Sequence, residues 1–211
     1  MKKILLILSA LTTMAIAASA QIIAERSENV TLFPTYRPAR ILLTSGKVNF
    51  IRDCNIFMKN STLIYKSNGK VMEANMNVVK TMEIDGRKFI NLHNQLAELI
   101  DTVEQNKLVS VKTIDVETMQ HEFMNTSDFT NIDVGDMLSY SRTDGDTQSG
   151  YPVLETYYFI LNGKQILCQE RNVKAAVGKK KQDVYDNITR QFFSWSDRED
   201  LMRLLTALTT H

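Results

Sequence analysis

The sequence predicts a β-rich α+β fold: a meander of short strands, extended by further strands, with a C-terminal helical tail. Two observations carry this reading. The turn dipeptides Ser45-Gly46, Asn68-Gly69, Asp85-Gly86 and Asn162-Gly163 recur between apolar runs. Asn-Gly and Asp-Gly are the strongest short-range hairpin signals, because both central residues of a tight type I′ turn take positive φ. Near the C-terminus the apolar residues recur instead at intervals of three and four, the period of an amphipathic helix.

Taken in order, residues 21–39 read as an extended lead-in, with Pro34 and Pro38 close to Phe33 and Tyr36. Strands are predicted over 40–44, 47–58 (bent near Asp53), 62–66, 70–75, 78–84 and 87–92, each flanked by turn residues. An isolated hairpin is marginal in water, so these strands share a core, by closure into a small barrel over 40–92 or by packing on helices. Leu92, Leu96, Leu99, Ile100 and Val103 then recur at helical spacing and predict a short helix ending near Asn106.

Further strands are expected over 107–170. Residues 108–116 are β-branched and strand-like, and 154–161 with 164–169 form a hairpin about Asn162-Gly163. The run Tyr157-Tyr158-Phe159-Ile160-Leu161 is apolar on both faces, as a central strand is. Between them, residues 121–150 form a polar excursion interrupted by Phe123, Phe129, Ile132 and Leu138.

The tail, 171–211, is expected to pack on the β-rich domain of 40–170. Asn172 is read as the N-cap of a helix ending before Gly178, and Lys179, Lys180 and Lys181 follow its negative end, pointing to solvent. Asp183 caps a second helix with Val184, Ile188 and Phe192 on one stripe. Residues 196–199, S-D-R-E, form a capping box for a last helix. That helix carries Leu201, Leu204, Leu205 and Leu208 on one face and Arg198, Arg203 and Thr206 on the other.

At the other end, Lys2 and Lys3 precede an apolar run over 4–16 and the small-residue site Ala18-Ser19-Ala20. This is the pattern of a secretory signal peptide, 1–20, cleaved before Gln21. The run is shorter than the about 20 residues that cross a bilayer core, and no second run of that length follows. Gln21 stands where a lipoprotein would have Cys, so a protein that is exported but not lipidated, in the periplasm or outside the cell, is expected. Loss of Lys2 and Lys3 takes the 25 basic residues to 23 against 24 acidic ones, a net charge of −1. That balance argues against nucleic acid as a partner, since phosphate binding draws on excess Lys and Arg.

The residues that bear chemistry are few. Cys54 and Cys168 can pair in an oxidising compartment or serve as small buried hydrophobes, and neither has a CxxC partner. His93, His121 and His211 show no metal-binding spacing. DGDTQSGYPVLE, over 144–155, places Asp144, Asp146, Gln148 and Glu155 where an EF-hand loop has ligands. Ser149 replaces its glycine, Pro152 intrudes and a strand follows, so a mobile acidic loop is the better reading. Asn60-Ser61-Thr62 has the form of a glycosylation sequon, which carries no weight in a bacterium. No GxSxG, P-loop or GxGxxG motif occurs. No catalytic, cofactor-binding or metal residue is nominated.

Two stretches carry a resemblance. SGKVNFIRDCNIFMKNSTLIYKSNGKVMEANMNVVKTMEI resembles the SH3-like or Sm-like small-barrel pattern, with a Gly-Lys turn, a long bent strand, a hairpin and a short turn into a final strand. YYFILNGKQILCQERNVKAAVGKKKQDVYDNITRQFFSWSDREDLMRLL resembles the end of a group of exported bacterial proteins of unknown function that join a β-rich body to a short helical tail. The resemblance implies a fold and an address, and carries no activity with it. The expectation is a non-catalytic binding or envelope-associated module, with a protein, a glycan or an envelope component as partner. The alternatives are a periplasmic or secreted hydrolase with a site in 121–150, and a structural role through exposed apolar surface. A shallow groove or an unpaired strand edge would favour the first, and a deep pocket with convergent polar groups the hydrolase.

Overall fold

The computed structural model describes residues 25–126, 150–190 and 192–210. The expected signal peptide, most of the excursion, the acidic positions Asp144 and Asp146, and His211 lie outside them. The described residues form a β-rich α+β fold, a curled antiparallel sheet shaped as a half-barrel, with short C-terminal helices. In chain order the strands are β1 Arg26–Ser27, β2 Arg37–Leu43, β3 Val48–Phe57, β4 Thr62–Ser67, β5 Lys70–Glu73, β6 Val79–Ile84, β7 Arg87–Leu92, β8 Gln95–Val103, β9 Asn106–Ile114, β10 Tyr151–Leu161 and β11 Lys164–Leu167. The helices are α1 Val116–Thr126, α2 Glu170–Val177, α3 Gln182–Thr189 and α4 Arg198–Thr210.

The sheet order is β1-β10-β9-β8-β7-β6-β2-β3-β4-β5, with β11 also on β10. Local hairpins build most of it. Asn68 and Gly69, Asp85 and Gly86, and Asn162 and Gly163 all take positive φ, as type I′ turns require. A Cβ at Gly163 would meet nothing within 4 Å, so only its φ of +79° resists a side chain. Gly163→Val should therefore cost about 1–2 kcal/mol, the penalty for a left-handed residue. An unchanged melting temperature would contradict this turn.

The strand over 95–103 corrects the helix expected from Leu92, Leu96, Leu99, Ile100 and Val103. Two turns without glycine were hidden there: His93-Asn94, both at positive φ, and Glu104-Gln105, with Glu104 at φ 54°. A bulge between Leu99 and Asp101 shifts the alternation of β8 by one residue. Leu96 enters the barrel core, Leu99 the opposite face, and Ile100 and Val103 the cluster under the tail. A bulged strand buried on both faces imitates the spacing of a helix. A second correction is α1, which begins at Val116, before the excursion was expected to start. Asp115 caps it, accepting from Thr118 N at 3.0 Å.

The curl is held at the β3–β4 turn. Leu96 N donates to Ser61 O at 2.7 Å, Ser61 Oγ donates to Leu96 O, and Ile114 N donates to Met58 O. Inside lie Ile41, Cys54, Ile56, Leu63, Met82 and Phe89. The lead-in is clamped by the buried Asn55, whose Nδ2 donates to Phe33 O at 2.8 Å and whose Oδ1 accepts from Phe33 N. This fully satisfied buried amide fixes the path of the chain into β2.

The helices cover the inward face of β9 and β10. Leu201, Leu204, Leu205 and Leu208 are buried with Leu108, Phe159, Cys168, Val173 and Tyr185. Five details of the tail differ from the sequence reading. The N-cap of α2 is Gln169 rather than Asn172, and it has no side-chain bond. Lys181, not Asp183, occupies the cap of α3, whose buried residue is Tyr185, while Phe192 is wholly exposed. Asp197 rather than Ser196 caps α4, its Oδ1 accepting from Asp200 N at 2.9 Å. Lys179 and Lys180 face solvent, but Lys181 Nζ donates to Leu208 O at the negative end of α4.

Candidate functional site

The register of the sheet sorts the polar side chains into two groups. One row points inward: Asn49, Ile41, Met82, Phe89, Glu98, Ser110 and Tyr157 lie opposite one another on seven strands. It passes from the apolar core to a charged mouth. There Arg87 holds Glu98 by two bonds, Nε to Oε1 at 2.7 Å and Nη2 to Oε2, and its guanidinium stacks on Phe33 and Phe89. The bond to Glu98 raises the Arg87 pKa above its ordinary value. Arg37 pairs with Asp85 at 2.7 Å and also lies over Phe33. Burial, with Glu155 beside it, pushes the Tyr157 phenol up. Arg87 with Glu98 and Arg37 with Asp85 are paired at this end of the barrel, while Arg37 Nε and, farther along the row, Ser110 Oγ are buried with no hydrogen-bond partner among the described residues.

The other row points outward. Phe50 on β3 lies opposite Arg40 on β2, Arg40 opposite Glu83 on β6, and Glu83 opposite Lys88 on β7. Beside it runs an apolar row, Val48, Leu42, Thr81 and Ile90, ending on Ala97. Together they line two adjoining recesses of ≈ 500 Å³ and ≈ 330 Å³ that share Arg40 and Glu83. Phe50 is 78% exposed, although it sits mid-strand, and Arg52 flanks it two residues on. Arg40, Arg52, Lys88 and Glu83 form no ion pair or side-chain hydrogen bond among the described residues. Outward side chains on a well-paired sheet are usually polar, so an exposed aromatic ring beside unpaired charges is the feature here that asks for a partner.

The residues weighed in the sequence fall elsewhere. His93 is in the β7–β8 turn and His121 is exposed on α1. Glu155 lies on β10 beside Lys112, at 3.7 Å, rather than at the end of a calcium loop. Asn60 donates to Glu73 Oε1 at 3.1 Å in the β3–β4 turn. Cys54 and Cys168 are free thiols, buried in separate clusters. Burial, with Asp53 nearby, pushes the Cys54 thiol up to about 12, and burial raises Cys168 as well. Neither is a nucleophile at neutral pH. Among the described residues no group of three His, Cys, Asp or Glu is placed to hold a metal ion, and no helix is long and apolar enough to cross a membrane.

The outward row went unread in the sequence because register assembles it from four strands. Its one local trace is the alternation Val48-Asn49-Phe50-Ile51-Arg52, which puts Phe50 and Arg52 on the same face as Val48. No family model, curated protein or solved structure matches the chain.

Proposed function

We propose that the chain is an exported, non-catalytic binding module of the cell envelope, and that it engages its partner through the outward face of β3, β2, β6 and β7. One observation carries the reading: the exposed Phe50 ring beside an open, apolar-floored trough with unpaired charges. An open trough over a paired sheet is a surface for binding. The curled small-barrel-like sheet is in keeping with the SH3-like pattern of 45–84, and the signal-like residues 1–20 supply the route to the envelope.

The test is sedimentation of the purified chain with envelope isolated from the producing cell. The parent should pellet with it. Phe50→Asp should lower the bound fraction by about tenfold, as loss of a central aromatic anchor does, with melting unchanged. Lys164→Ala, on the β10–β11 hairpin, should bind as the parent does. Equal retention of Phe50→Asp would overturn the assignment of this face.

A further inference from the structure

Resting on that reading, we infer that the row Phe50–Arg40–Glu83–Lys88 takes an acidic glycan laid across the strands, with acidic and neutral sugars in alternation. Backbone pairing is the first argument. The N–H and C=O groups of β2, β6 and β7 are engaged in ladders on both sides. Recognition on this face therefore falls to side chains, and an incoming peptide finds no strand edge to extend. The chemistry of the side chains is the second. The exposed Phe50 ring offers a flat apolar surface, on which the C–H face of a pyranose ring can lie. The Arg40 guanidinium is a planar fork that matches a carboxylate, and among the described residues no carboxylate occupies it.

Spacing makes the inference specific. Adjacent strands lie about 4.8 Å apart, close to the advance of one sugar along an extended chain. Four strands therefore meet successive sugars with an aromatic, a cation, an anion and a cation. The Glu83 carboxylate accepts hydrogen bonds from hydroxyls and repels acid, so the sugar above it is neutral. The two cations fall two strand spacings apart, about 9.6 Å, and set the repeat of acidic groups. Arg52, in the recess beside Phe50, adds positive charge, and the one other carboxylate lining that recess, Asp85, is already paired with Arg37. Charge complementarity thus favours an anionic ligand of alternating pattern.

The experiment is titration calorimetry of the folded chain with four probes. These are a hexasaccharide alternating glucuronate and N-acetylglucosamine, hexagalacturonate, neutral maltohexaose and hexaglutamate. The alternating hexasaccharide should bind most tightly and weaken with added salt. Phe50→Ala and Arg40→Gln should each weaken it about tenfold. Glu83→Gln should narrow the gap to hexagalacturonate. These side chains are exposed, and an unchanged melting temperature shows that each variant folds. Equal binding of maltohexaose, tighter binding of hexaglutamate with no dependence on Phe50, or no binding of any probe would each overturn the inference. A chain that pellets with envelope through Phe50 yet ignores all four probes sinks this inference alone. One that does neither sinks the binding-module reading too.

Discussion

Leu204→Ala should lower the stability of the protein by about 2–5 kcal/mol, the usual cost of truncating a leucine in a packed core. Leu204 is 0% exposed, and it lies between α4 and the inward face of the sheet with Phe159 and Leu108. An isolated helix of this length is marginal in water, so the leucine stripe holds α4 by burial. The paired change Lys179→Ala and Lys180→Ala should stay within about 0.5 kcal/mol, because both ammonium groups face solvent. Lys181→Ala should fall between them at about 1 kcal/mol, since it loses a charged bond to the end of α4. Urea unfolding of the three variants gives the ranking directly. If the two exposed lysines cost more than the leucine, the tail is anchored by charge and its packing has been misjudged.

The second large effect separates two phenylalanines on opposite faces of the same sheet. Phe89→Ala should cost about 3–5 kcal/mol. Its ring is 2% exposed, fills the barrel core, and supports the Arg87 guanidinium that holds Glu98. Phe50→Ala should change stability by no more than about 0.5 kcal/mol, because its ring already lies in water. Binding should show the reverse order of priority, with Phe50 the residue that matters. A Phe50 variant that unfolds like a Phe89 variant would mean that this ring is structural, and the outward trough would lose its central support.

Much of the fold was legible because it is built from local signals. The Asn68-Gly69, Asp85-Gly86 and Asn162-Gly163 turns announce themselves, and the spacing of the four tail leucines matches their burial. The failures have physical causes. His93-Asn94 is a tight turn made without glycine, at a cost that the neighbouring ladder offsets, and a single Asn with no following Gly is a weaker turn signal than the helical spacing around it. β8 feeds three clusters through a bulge, and its apolar residues lose the period of two. Ser196 and Asp197 are both good caps, and one residue of register decided between them. The candidate site was the least legible part. Arg40, Phe50, Glu83 and Lys88 are unremarkable singly, and only pairing between strands distant in sequence places them in one line.

The two thiols have a consequence for how the molecule opens. Cys54 belongs to the barrel cluster and Cys168 to the cluster under the helices, and both are sealed from solvent. A thiol reagent reaches each sulfur only when its own cluster parts, so the chain carries a natural timer in each of the two clusters. Cys168 will react ahead of Cys54 if the helical tail lifts while the barrel stays shut. Both will react at one rate if the protein opens all at once.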